Sequence, residues 1–438
     1  MKMSKKIEDC LNLLLDTAKK LGAECTTVIA NENTSVNVAA RLGKLENVER
    51  NESSSIGLEI IDNKRKVSLS STNLNDESLK ELAKNAMNMV KSIPVDEYCG
   101  LADKNMLYDG NLDLNLVDSF IPENNDLLNN SIEAEESALN IKGITNSEGA
   151  SSSYSKNKFY LATSEGFFNT NNKTNYSTGI SVIAGEGTKM ERDYEYQSKV
   201  HYSDLDTPKQ IGDKAAERAI SRLNPKKVKS NSVPVIFDPR ISGSLLSIFI
   251  GGISGQAITR GTSFLKNKMN KNVFKNTIQI IDDPHIQKGA RSLAFDGEGV
   301  ATKKINLVEN GELKSWLLNS QYARQLNLKS TGHHSGVSNL YMSPGKSSNL
   351  ELIESIEEGF YITEMLGMSF SQVTGDYSRG ASGFWIEKGQ KSYPVSEVTI
   401  AGNILDMYKM LTPASDLKMI TGIDAPTLMI DRMIVAGI

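Results

Sequence analysis

Apolar residues recur at steps of three and four from Ile7 through Leu11, Leu14, Leu15, Ala18 and Leu21. That spacing predicts an amphipathic helix, ended by Gly22. From Cys25 the pattern changes to short β-rich runs, over 26–30, 35–40, 56–61 and 67–70, the last two joined at Asp62-Asn63. Asn75 or Asp76 then caps a helix carrying Leu79, Leu82, Ala86 and Val90 on one face, which stops before Pro94. Strands that follow one another without crossover helices pair antiparallel, so this unit reads as α+β. Residues 94–123 are polar and read as a linker, followed by a helix over 124–140. Further β-like runs lie at 147–154, 159–164 and 178–184, each bounded by a glycine turn. Thr207-Pro208-Lys209-Gln210 is a capping box with proline at the first helical position, opening a helix with Ile211, Ala215, Ala219, Ile220 and Leu223 on one face.

The stretch 232–265 organises the second half. Val233, Val235, Ile236 and Phe237 form a buried strand that stops at Asp238-Pro239. Ser242 or Ser244 then caps a helix, placed at 243–258, whose residues are almost all apolar or small, so it is expected to be buried on every side. Strand-like runs follow at 277–281, 291–295, 300–307 and 313–318, with Glu309-Asn310-Gly311-Glu312 a hairpin turn between the last two. Short helices are expected at 320–326 and 350–358, a Gly/Ser loop at 330–338, and a series of strands over 360–438. The fold class expected is α+β: an N-terminal antiparallel sheet with helices, then a large antiparallel, barrel-like β domain around a buried helix. The boundaries fall at 1–120, 121–230 (packing with the first unit) and 231–438.

Composition narrows the function classes. The chain has 438 residues, with 49 basic and 53 acidic side chains giving a net charge of −4. A nucleic-acid surface would need a strongly basic patch, so none is expected. Cys10, Cys25 and Cys99 are scattered without metal-ligand spacing, which fits reduced thiols in a cytoplasmic protein. No apolar run approaches the roughly 18 residues of a membrane span. Glu8, Asp9 and Asp16 interrupt any signal-peptide core behind the basic start. The four histidines form no ligand set by spacing, because His333 and His334 are adjacent and neighbours on an extended chain point to opposite faces.

Several segments carry a family resemblance. RLGKLENVERNESSSIGLEI (41–60), SEGASSSYSKNKFYLATSEGF (147–167), SVIAGEGTKMERDYEY (181–196), GFYITEMLGMSFSQVTGDYSRGASGFWIEKGQKSYPVSEVTIAGN (359–403), 295–300, 424–428 and the closing VAG (435–437) together resemble the TldD/PmbA (TldE) metallopeptidase-like family, most specifically its PmbA/TldE branch. In the TldD branch the central helix bears His-Glu-x-x-x-His, with a cysteine ligand near the C-terminus. Setting Leu245-Leu246 against the residues before that motif places its positions on Ser247, Ile248 and Gly252, none of which can hold zinc or act as a base. The C-terminal segment 421–430 (TGIDAPTLMI) has no cysteine. The resemblance therefore implies a subunit with no catalytic residues and no metal of its own. A TldD-type chain would carry the zinc in a one-to-one heterodimer acting on unfolded peptides, and this chain alone would form a homodimer. Asp376, Ser378 and Arg379, on a strand-and-turn series over 369–386 imagined as an open edge, are the candidate substrate contacts, with Arg379 suited to a peptide carboxylate. Two alternatives stay open. One is a peptidase with atypical ligands such as His333, His334 and Glu364; the other is a stand-alone peptide-binding or assembly protein.

Overall fold

The computed structural model describes residues 7–438; the basic start at Lys2, Lys5 and Lys6 lies outside the described residues. Helix α1 (Ile7–Lys20) buries Ile7, Cys10, Leu11, Leu14 and Ala18, the stripe its periodicity predicts. It leads into β1 (Cys25–Arg41), β2 (Lys44–Asp62) and β3 (Arg65–Ser71), then α2 (Asp76–Val90), whose first turn is capped by Asn75 Oδ1 accepting from Ser78 N at 2.8 Å. After the linker come α3 (Asn124–Leu139), β4 (Ile144–Thr163), β5 (Phe168–Ala184), β6 (Glu191–Lys199) and α4 (Pro208–Ser221), with both hydrogen bonds of the Thr207/Gln210 capping box formed.

All six strands join one antiparallel sheet in the order β3-β2-β1-β4-β5-β6, so the sheet runs through both 1–120 and 121–230. The short runs of the sequence fuse into long strands. Residues 26–30 and 35–40 are one strand because the polar stretch between them stays in register on both sides, Asn33 opposite Ser53 and Asn157. A paired backbone needs no apolar side chain to remain extended. Alternation gives the sheet two unlike faces. Val28, Ala30, Val36, Val38 and Ala40 of β1 point to one face, where α1 and α2 cover one end and α3 and α4 the other. On the opposite face stand Asn31, Asn33, Ser35 and Asn37, followed across the sheet by Ser151, Ser153, Ser155 and Asn157 of β4 and Asn171, Asn175 and Ser177 of β5.

The second half begins with β7 (Asn231–Phe237), α5 (Pro239–Ile253) and α6 (Gly255–Thr259). It continues through β8 (Ile280–Asp282), β9 (Ile305–Glu309), β10 (Glu312–Leu313), α7 (Ser320–Gln325), β11 (Leu340–Met342) and α8 (Asn349–Glu354). The last part holds β12 (Glu358–Phe370), β13 (Asp376–Glu387), β14 (Gln390–Asn403), α9 (Ile404–Met410), β15 (Leu411–Pro413), β16 (Ile423–Asp424) and β17 (Leu428–Ala436). Strands β14-β13-β12-β7-β17 form a barrel, closed where Ile400 of β14 meets Val435 of β17; only β7 and β12 run parallel. A second sheet, β10-β9-β8-β11-β16, shares the main core cluster with the barrel lining and the buried face of α5. The α+β class and the barrel-like C-terminal half are as the sequence reads.

The central helix differs from its expected form in two ways. It runs 239–253, not 243–258, because Asp238 caps it from outside with Pro239 at the first position, and Ser254 (ψ 137°) breaks the helix and caps the short α6 instead. Nor is it buried on every side. Leu245, Leu246, Phe249 and Ile253 face the core, while Ser247 is exposed and Ser244, Ile248 and Gly251 are partly so. Residues 291–295 are not a strand: a turn closed by Ser292 N donating to Gly289 O (3.2 Å) precedes them and Phe295 makes an isolated bridge to Ala301, and α9, capped by Asn403, interrupts the expected strand series. The Asn310-Gly311 hairpin is present, with both residues at positive φ (49° and 78°).

Phe249 sits fully buried with its ring edge-on to Phe274 (5.6 Å between centroids) and Tyr408 (6.4 Å). Phe249→Ala is expected to lower unfolding free energy by about 3–5 kcal/mol, read from urea melts. A loss below about 1 kcal/mol would show that this helix is not the centre of the C-terminal core.

Candidate functional site

The open face of α5 forms one wall of a cavity of about 500 Å³. Ile241, Gly243, Ser244 and Ser247 line it from the helix, and Thr421 and Ile423 from the C-terminal loop. The loop can reach the helix because Gly243 has no side chain: a Cβ there would lie 2.5 Å from the carbonyl oxygen of Ile423. The opposite wall is β12. Its ladder slips between Ile362 and Glu364, a bulge at Thr363 beside which Thr363 and Glu364 both line the cavity, while the Met365 side chain packs on the core and accepts from Tyr377 Oη at 3.3 Å. Arg379 enters from β13 and Asp193 from β6.

Charge holds these walls together. The Asp193 carboxylate is buried and accepts from Arg240 Nη1 at 2.9 Å, from Arg222 Nη1 at 3.4 Å and from the backbone N–H of Tyr194 at 2.8 Å. Arg222 also donates to Glu364, which Arg192 approaches at 3.9 Å. Glu191, beside them, is pushed above the ordinary carboxyl value by burial, with Arg222 opposing and Glu364 adding to the shift. Asp238 both caps α5, accepting from Arg240 N at 3.0 Å, and accepts from Tyr361 Oη at 3.0 Å. Three polar atoms on the walls, Arg240 Nε, Ser244 Oγ and Thr363 Oγ1, are shielded from solvent without a hydrogen bond, although Arg240 Nε lies 3.4 Å from Asp238.

The structure divides the residues singled out from sequence. Ser247 lies on the cavity wall, its hydroxyl donating back to Gly243 O at 3.1 Å. Ile248 packs against the main core, and Gly252 is buried, with a Cβ there meeting Phe264 at 2.8 Å and Leu265 at 2.9 Å. Positions five apart on an α-helix point about 140° from each other, so 247 and 252 face different surroundings. These side chains do not fit a zinc site. Among the described residues, no three His, Cys, Asp or Glu side chains come close enough together to hold an ion.

Arg379 reaches the cavity, and its Nε donates to Gly367 O at 2.9 Å. Asp376 and Ser378 do not join it. Strand alternation puts them on the face opposite Tyr377 and Arg379, and Asp376 spends its carboxylate on Thr374 Oγ1 (2.7 Å) in its own turn. The series 369–386 is not an open edge either, because β13 is paired on both sides within the barrel; unpaired edges lie elsewhere, among them the outer side of β6 and that of β2 before Ile56. His333, His334 and Glu364 are not brought together. His333 is buried between Asp282 (3.1 Å) and Thr331 (2.8 Å), His334 pairs with Glu298 (3.3 Å), and Glu364 belongs to the arginine network. Sequence reasoning missed Asp193, Arg222, Arg240 and Arg291. Only Arg240 left a trace: a cation in the first turn of a helix opposes the macrodipole, which signals a waiting acid.

Models of the PmbA/TldA metallopeptidase family match its domain 1 over residues 27–90, its central domain over 122–223 and its C-terminal domain over 230–437. The chain is 35% identical to the metalloprotease PmbA of Escherichia coli O157:H7, covering 98% of this chain and 96% of that one. The chain belongs to the PmbA/TldD metallopeptidase family. Among solved structures, a protein of Bacteroides thetaiotaomicron described as a putative modulator of DNA gyrase superposes with a TM-score of 0.93 at 28% identity over the full length of both chains. TldE of Thermococcus kodakarensis shares the fold, with a TM-score of 0.85 at 19% identity over 98% of this chain and all of that one. The cavity lies where α5 meets the C-terminal loop, and Ser247, Thr421 and Ile423, which these two elements place there, offer no thiolate, imidazole or carboxylate.

Two outcomes are expected. Ser247→His, Ile248→Glu and Gly252→His combined should confer neither zinc retention after dialysis nor peptidase activity, and should lower the melting temperature because residue 252 would collide with Phe264. Retained zinc with cleavage would show the helix still holds a usable ligand geometry. Separately, the hydrogen bond that His334 donates to Glu298 raises the His334 pKa, against burial, so the histidine's contribution to stability is complete below about pH 6.5 and lost as pH rises through the raised value. The stability difference between the native chain and His334→Gln should therefore be larger at pH 5.5 than at pH 8.5 in thermal melts.

Proposed function

We propose that this chain is the non-catalytic subunit of a TldD/TldE-type peptidase assembly, in which a TldD-type chain supplies the metal and the catalytic glutamate. The observation that carries the reading is the cavity itself: it lies where the motif helix and the C-terminal loop converge, yet its walls offer Ser247, Thr421 and Ile423 where ligands would be needed, and arginines elsewhere. The chain's contribution is then to enclose and hold substrate. The Asn- and Ser-rich face of the N-terminal sheet suits that role. Amides and hydroxyls hydrogen-bond peptide main chain without selecting side chains, which is what binding unfolded segments of varied sequence requires. A cytoplasmic location and a homodimer in the partner's absence belong to the same reading.

Co-expression with a TldD-type chain bearing His-Glu-x-x-x-His tests it. The expected result is a one-to-one complex by light scattering that cleaves unfolded peptides and carries zinc, while this chain alone is inactive and zinc-free. A chain that stays monomeric with and without that partner would overturn the reading. Cleavage by this chain alone with stoichiometric metal would favour the peptidase with atypical ligands.

A further inference from the structure

Two of the four cavity arginines are neutralised and two are not. Arg222 and Arg240 are matched by Glu364, Asp193 and Asp238. Arg291 and Arg379 reach the cavity from separate segments, the loop after β8 and strand β13. Each gives its Nε to a backbone carbonyl, Arg291 to Val337 O at 3.3 Å and Arg379 to Gly367 O at 2.9 Å. Among the described residues no carboxylate lies within ion-pair distance of either. Their positions are set, not free. Gly422, at φ 82°, lies so close to Arg291 that a Cβ would meet its Cγ at 2.5 Å, so the C-terminal loop clamps that side chain. Arg379 in turn holds the Gly367 bend of β12. The surroundings are already positive: burial pushes Lys173 down to about 8, and Arg291 adds to that shift. Ser244 and Thr363 line the same cavity, and their hydroxyls, shielded from solvent, have no hydrogen-bond partner within the chain.

Fixed guanidinium forks with spare N–H groups, joined by unpaired hydroxyl donors in a walled cavity, match a planar carboxylate. We infer that the cavity takes the C-terminal carboxylate of a bound peptide, with Arg291 and Arg379 as its two cations and Ser244 and Thr363 as neutral donors. Lys173, next to Arg291, stands on the same sheet face as Asn171 and Asn175, so a peptide laid along the Asn/Ser face would bring its chain end to these cations. This assignment rests on the reading that the chain holds peptide.

The test uses the full chain and three N-acetylated pentapeptides of Gly, Ala and Ser by calorimetry: a free acid, its C-terminal amide, and an amide with one internal Glu. The free acid is expected to bind at least about tenfold tighter than the amide, an advantage that shrinks with rising salt, as a charge-assisted contact must. Arg291→Gln and Arg379→Gln should each remove part of the preference and the double variant all of it, with the fold monitored by melting temperature. Arg379→Lys, which keeps charge without the fork, should restore only part. Equal binding of acid and amide by the native chain overturns the proposal without any variant, as does failure of all three to bind. If the internal-Glu amide matches the free acid, the site reads acidic side chains and the chain-end assignment is wrong. A complex that assembles and cleaves while acid and amide bind alike would leave the subunit reading standing and remove this one; an acid preference without assembly would do the reverse.

Discussion

The buried Asp193 carboxylate is the constraint on which the site depends. It comes from the last strand of the N-terminal sheet, and it meets Arg240 in the first turn of the central helix and Arg222 just beyond α4. Arg222 passes the connection to Glu364 on the barrel. One acid thus links the N-terminal sheet to the C-terminal core. Burying such charges is costly, and the cost is offset only when every partner stays in place. The network therefore specifies how the two halves sit against each other more than it stabilises either half.

Close backbone approach then decides what the cavity contains. Gly243 lets the loop at 421–424 touch the helix, and Gly422 lets the same loop press on Arg291. The bulge in β12 turns Thr363 and Glu364 inward together. These three local features help bring residues from seven separate stretches of sequence around one space. The open face of this helix carries small hydroxyls, and the ionic work falls to arginines from other elements.

The N-terminal sheet shows a second division of labour. One face is apolar and covered by four helices; the other is rich in Asn and Ser, except at one end where Ile29, Phe159 and Leu161 pack beneath Leu107, Tyr108 and Phe295. A sheet normally needs only one buried face to be stable, so the second is free to be shaped by binding. Its Asn and Ser stretch suits transient contact with extended chains, because it offers hydrogen bonds without a hydrophobic grip.

Local sequence determined the helices with strong caps and clean periodicity, α1, α2 and α4, and the Asn310-Gly311 hairpin, because a side-chain cap or a left-handed turn residue acts within a few positions of itself. It also determined the fold class, and the absence of ligands at Ser247, Ile248 and Gly252, since residue identity alone excludes them. Tertiary structure decided the rest. The strands around Asn33 and Lys156 are continuous because neighbouring strands pair their backbones, which no local pattern encodes. Arg379 parted from Asp376 and Ser378 through strand alternation. Arg291 and Asp193 became part of the cavity only when segments roughly a hundred residues apart were packed together; buried ion pairs take their meaning from a partner, and the partner's place is set by the fold.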